Sequence, residues 1–98
     1  MESIKARDRR KAPRVKLSQP VRIRPLDDHS SEEVSNTENV SKSGLYFKTS
    51  SGHYYEGMNV SVVRNFHAGD PQHREETAKV VRVERLSDGR WGVAIRIL

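Results

Sequence analysis

The stretch TAKVVRVERLSDGRWGVAIRI, residues 77–97, decides how this chain folds. Its second half repeats every two residues: Trp91, Val93, Ile95 and Ile97 share one parity, and Gly92, Ala94 and Arg96 share the other. That is the pattern of a half-buried strand. The first half alternates less cleanly but is rich in β-branched residues, which favour a pleated surface. Between the halves, Asp88-Gly89 is a tight-turn signal. The reading is a β-hairpin.

The same period of two governs the rest of the chain. In VKLSQPVRI (15–23), Val15, Leu17, Val21 and Ile23 alternate with Lys16, Ser18 and Arg22, which predicts another half-buried strand. LYFKT (45–49) and NVSVVRNF (59–66) are further strand candidates. The segments SSGHYYEG (50–57) and HAGDPQH (67–73) carry the Gly and Pro expected of connections. DDHSSEEVSNTE (27–38) reads as a long acidic loop with room for a weak strand near Val34. No window supports an amphipathic helix longer than about two turns, and there is no internal repeat. Five or six short strands in this length suggest an antiparallel barrel or sandwich. Closure into a barrel is preferred, because it removes sheet edges that so small a protein could not otherwise protect.

Ninety-eight residues suit one domain with a thin core, since charged residues make up 32% and hydrophobic residues 34%. Zero cysteines excludes disulfide scaffolds, thiolate metal sites and cysteine nucleophiles, and is compatible with a reducing compartment. No apolar run approaches the roughly 20 residues of a membrane span, and the charged N-terminus lacks the apolar segment of a signal peptide. The expectation is a cytoplasmic domain without membrane insertion.

Charge is unevenly spread. Residues 1–16 hold seven Lys and Arg against Glu2 and Asp8, a net +5. The whole chain is also +5, so residues 17–98 sum to zero. The basic character belongs to an N-terminal arm, residues 1–15, ahead of a body spanning 16–98. A neutral body argues against a broad nucleic-acid surface, which would need cations across the barrel as well.

Catalysis finds little support. His29, His53, His67 and His73 are scattered over connections, without the spacing that gathers a metal. Ser41 and Ser43 have no evident His or Asp partners, so neither an enzyme nor a metal site is expected. Two local patterns carry other chemistry. In RRKAPR (9–14), Arg10 and Arg14 form RxxxR with Arg9 beside them. A guanidinium stays charged and pairs bidentately with phosphate or with the O6/N7 edge of guanine. Four residues of extended chain span on the order of 10 Å, the size of a small nucleotide. The alternative is a solvated basic tail or a nonspecific nucleic-acid arm.

In NVSKSGLYF (39–47), Asn39 can donate and accept together, which suits the N1/N2 edge of guanine. Ser41 lies two residues on, on the same side of an extended chain. Gly44 permits a positive-φ turn and close backbone approach. The alternative is ordinary turn chemistry.

Taken together and in this order, RxxxR before a first strand and [D/N]xSxxG about 25 residues later, the sequence resembles the PilZ domain family. The resemblance continues through GMNVSV (57–62) and ends in the closing hairpin AKVVRVERLSDGRWGVAIRI (78–97). It implies a six-stranded antiparallel β-barrel, with a flexible basic arm, that binds cyclic di-GMP. It implies that Arg10 and Arg14 grip phosphate and guanine while Asn39, Ser41 and Gly44 form the facing wall. Arg9 is one guanidinium more than the motif needs, which points to two stacked ligands per chain. No other cofactor is expected, and a downstream partner protein would read the ordering of the arm. The competing readings are a small nucleic-acid-binding barrel, with Tyr46, Tyr54 and Tyr55 as stacking platforms, and a PilZ-like module that acts through protein contacts alone.

Overall fold

The computed structural model describes residues 15–27, 31–72 and 74–98. Six strands run in chain order: β1 (Pro20–Pro25), β2 (Glu33–Ser41), β3 (Gly44–Thr49), β4 (Asn59–Arg64), β5 (Glu76–Arg85) and β6 (Trp91–Ile97). They close into one antiparallel barrel in the order β1-β2-β3-β6-β5-β4, with β1 pairing β4 to complete the circle. The expected six-stranded barrel is therefore the observed fold.

The alternation read from the sequence explains most of the core. Val21 and Ile23 of β1, Phe47 of β3, Val60 and Val62 of β4, Val80 of β5 and Val93 of β6 are all fully buried. Tyr54 and Met58, from the β3–β4 connection, join the same cluster. Tyr54 meets the edge of Phe47 with ring centroids 5.6 Å apart and planes at 81°, the T-shaped arrangement aromatic quadrupoles favour. The β5–β6 hairpin turns through Gly89 at φ 88°, and Asp88 accepts a hydrogen bond from the Arg90 amide. Its strand β5 carries a bulge between Val80 and Arg82, which leaves Val81 exposed and accounts for the imperfect alternation there.

Two readings fail in part, one at β2 and one at β1. The strand allowed for near Val34 is present, but it is longer than the acidic-loop reading left room for: β2 begins at Glu33 and runs nine residues. Its hydrophobic pattern is inverted. Glu33 and Ser35 lie opposite Ile23 and Val21 and face inward, while Val34 faces solvent at 55% exposure. Hydrogen bonds replace apolar burial on this face. The Glu33 carboxylate accepts from Thr49 at 2.7 Å and from Tyr54 at 2.8 Å. Ser35 donates to the Lys48 carbonyl, and Thr37, only 3% exposed, donates to the Leu17 carbonyl. Polar groups buried with partners cost little, so the strand holds without an apolar stripe.

The second failure is the stretch 15–23, which is not one strand. Strand β1 starts at Pro20, whose missing N–H suits a first position. Upstream, the chain wraps the Thr37 hydroxyl, which accepts from the Gln19 amide at 3.0 Å. Val15 then forms an isolated bridge with Val40, and Val15 and Leu17 are left 56% and 42% exposed.

Candidate functional site

Asn39, Ser41 and Gly44 come together on the outer wall of the barrel because β2 is irregular. Thr37 lies opposite Phe47 and points inward, whereas Asn39 lies opposite Tyr46 and Ser41 opposite Gly44. The extra residue between the two registers is Glu38, the bulge. A one-residue slip exchanges the two faces of a strand. Beyond the bulge, Val40 therefore packs against the core while Asn39 and Ser41 turn outward.

The hairpin that carries them is short, with Lys42 and Ser43 as its turn. The Ser41 hydroxyl donates to the Gly44 carbonyl at 3.4 Å and lies 3.5 Å from the Ser43 hydroxyl, both long contacts that leave it available. The Asn39 Oδ1 is buried and has no hydrogen-bond partner among the described residues. Gly44 is a glycine for close approach rather than for a positive φ, a correction to the expectation. A Cβ placed there would stand 2.5 Å from the Ile95 carbonyl oxygen of β6.

The turn is held from across the barrel. Arg64, at the end of β4, donates through Nη1 to the Ser41 carbonyl at 3.0 Å and the Lys42 carbonyl at 3.3 Å. Its Nε and Nη2 pair with the two carboxylate oxygens of Glu76 at 2.9 and 3.0 Å. Neither Arg64 nor Glu76 was legible as part of the site, since only the register brings β4 and β5 to this turn.

Tyr46 lies beside Asn39 and donates to Glu84 at 2.8 Å. Burial, reinforced by the bond to Glu84, holds its phenol above its ordinary pKa. The ring is accommodated by Gly92, where a Cβ would collide with the tyrosine hydroxyl. Of the three tyrosines considered for stacking, Tyr54 is in the core and Tyr46 is tied to Glu84, leaving Tyr55 exposed.

Arg9, Arg10 and Arg14 lie outside the described residues. Val15, the residue after Arg14, is bonded on both sides to Val40: its amide donates to the Val40 carbonyl at 2.9 Å and its carbonyl accepts from the Val40 amide at 3.0 Å. Val40 sits between Asn39 and Ser41 in sequence, so Val15 is hydrogen-bonded at the site itself. Among the described residues no cluster of His, Asp or Glu could hold a metal ion. No helix is long and apolar enough to cross a membrane.

A closed six-stranded antiparallel barrel with an outward-facing polar hairpin defines a small binding module. The PilZ domain family model matches residues 8–98, and the chain belongs to that family. No curated protein matches it at useful similarity. Two bacterial proteins are among the solved structures that share its fold. The Bacillus subtilis inhibitor of motility MotI/DgrA is 17% identical with a TM-score of 0.71, covering 92% of this chain and 43% of its own. This chain thus spans less than half of that protein. The PilZ domain of YcgR from Escherichia coli, solved with cyclic di-GMP, is 13% identical with a TM-score of 0.66, covering 93% of this chain and 79% of its own.

Proposed function

We propose that this chain is a cytoplasmic, non-catalytic cyclic di-GMP-binding adaptor domain, with residues 1–15 as a ligand-binding arm and 16–98 as the barrel that receives it. In this reading Arg10 and Arg14 bind phosphate and guanine edges, and Asn39, Ser41 and Gly44 form the opposite wall. The observation that carries it is the Val15–Val40 bridge. Arg14 is one residue in sequence from a point hydrogen-bonded between Asn39 and Ser41, which supports a reading in which the two halves of the motif act on one ligand. The unpartnered Asn39 Oδ1 supports the same reading, because a buried acceptor left unpaired costs free energy that a donor on a ligand would recover.

Arg9 supplies a further guanidinium, and two stacked ligands per chain would use it. Ordering the arm over the ligand would then be the change that a partner protein reads. Calorimetric titration with cyclic di-GMP, against GTP, cyclic GMP and a short oligonucleotide, tests the reading. Saturation by cyclic di-GMP alone, at two per chain, is the expected result. Silence at millimolar ligand ends the reading, saturation at one per chain ends the stacked pair, and equal response to the oligonucleotide favours nonspecific charge binding.

A further inference from the structure

The strand registers place a row of residues across the outer face that continues past the motif. Ser41 of β2 is opposite Gly44 of β3, Gly44 is opposite Arg96 of β6, and Arg96 is opposite Lys79 of β5. In the next row Asn39 is opposite Tyr46, Tyr46 opposite Ala94, and Ala94 opposite Arg82. With strands roughly 4.8 Å apart, the row from Ser41 to Lys79 spans about 14 Å. Polar groups of the motif stand at one end and three cations at the other. Between them stand two small residues, Gly44 and Ala94, the latter only 3% exposed, and the Tyr46 hydroxyl reaches toward Gly92 and Glu84.

Lys79 and Arg96 are an unusual pair on stability grounds. Like charges directly opposite each other on neighbouring strands are destabilising. None of Lys79, Arg82 or Arg96 forms an ion pair among the described residues, although Arg22, Arg24, Arg64 and Arg90 each have a carboxylate. Glu84, on the same strand as Lys79 and Arg82, is engaged by Tyr46. The zero net charge of residues 17–98 thus hides a local excess of positive charge beside the motif.

We propose that Arg96 and Lys79, with Arg82 flanking them, form a barrel-borne anion subsite that holds a phosphate of the ligand on the far side of Gly44 and Ala94 from Asn39 and Ser41. This rests on the cyclic di-GMP reading for its ligand but not for its chemistry: the subsite takes a phosphate diester or any small polyanion of that span. It also supplies cations that do not depend on the arm.

The test is titration of the full chain with cyclic di-GMP, comparing wild type with Arg96→Gln, Lys79→Gln and, as a surface control, Arg90→Gln. The side chains of Arg96 and Lys79 lie on the outer wall, so folding is checked by an unchanged unfolding midpoint or a small rise from relieved repulsion. Arg96→Gln and Lys79→Gln are expected to weaken binding about tenfold each, the effect of losing one charge-assisted contact, while Arg90→Gln binds as wild type. Wild-type affinity in both folded variants overturns the subsite. A second arm uses inorganic pyrophosphate and backbone amide shifts. Shifts at Gly44, Lys79 and Arg96 that vanish in Arg96→Gln uphold the subsite even if cyclic di-GMP itself fails to bind, and no shifts there overturn it.

Discussion

Arg64 donates to the carbonyl of Ser41 at 3.0 Å while its other nitrogens hold both oxygens of Glu76. The β2–β3 turn is thereby anchored by β4 and β5, strands that do not pair with it. Truncating Arg64 to Ala leaves two turn carbonyls and one carboxylate without their donor. A loss of about 1–3 kcal/mol is expected, because the pair is partly buried and its bonds are charge-assisted. Amide hydrogen exchange at Lys42 to Gly44 should accelerate more than exchange in β6. Arg64→Lys keeps the charge but not the fork, and should recover only part of the loss.

Asn39 and Ser41 should separate binding from stability. Asn39→Ala removes a buried oxygen that has no partner, so its unfolding midpoint in urea should match or exceed wild type. Affinity for cyclic di-GMP should fall by about 1–2 kcal/mol, and for Ser41→Ala by about 1 kcal/mol. A variant of Asn39 that loses stability and keeps affinity would give the residue a purely structural role.

Gly44→Ala should fail for a different reason. The added Cβ meets the Ile95 carbonyl at 2.5 Å, and backbone cannot swing aside as a flexible side chain would. Overpacking of this kind costs about 1–3 kcal/mol, which a thermal melt would detect. Arm binding should weaken with it, as β3 and β6 separate.

The pH dependence at the alkaline end follows from Tyr54. Burial, and then its hydrogen bond to Glu33, push the phenol far above its ordinary value of 10.0. Folding therefore favours the protonated form. The stabilisation is whole below pH about 10, where the unfolded phenol is also protonated, and declines as pH rises above that toward the folded value. The slope is at most about 1.4 kcal/mol per pH unit for this group. Urea midpoints from pH 8 to 11 should fall above 10, and the fall should be shallower in Tyr54→Phe.

Trypsin offers a test of the arm, which is dense in Lys and Arg. Cleavage within residues 5–14 should be fast in free protein and clearly slowed by saturating cyclic di-GMP. Ordering about eight residues costs roughly 1 kcal/mol or more each, so net affinity should be modest. Equal protection with and without ligand would place the switch elsewhere. Arg14→Ala should cost about 1.5–3 kcal/mol of binding, and Lys48→Ala far less.

Where apolar residues alternate, the fold was readable in advance. The β5–β6 hairpin, β3 and β4 lie within a residue or two of the stretches that predict them. Strand β2 was readable only as a weak strand near Val34, because its inward positions are Glu33, Ser35 and Thr37, whose partners come from distant segments. The same cause hid the start of β1, where Leu17 and Gln19 serve the Thr37 hydroxyl rather than a ladder. In the site, the spacing of Asn39, Ser41 and Gly44 was visible as a local pattern. Arg64, Arg96 and Lys79 were not, since their nearness depends on barrel closure and register, which no local window contains.

The bulge leaves Glu38 outside the pairing of β2 with β3, a position constrained in neither identity nor presence. Its side chain is exposed and makes one loose contact, 4.0 Å to Lys48, so almost any replacement there should be tolerated. Its loss should be tolerated on the same grounds. Thr37 opposite Phe47 and Asn39 opposite Tyr46 would become consecutive pairs of a regular ladder, with Val40 still inward and Asn39 and Ser41 still outward. Losing a paired residue such as Val40 is another matter, because Ser41 would then fall opposite Leu45 and face the core. A scan of this strand should therefore find position 38 the one place where a residue can be dropped without shifting the frame, a spare letter written in backbone rather than in codons.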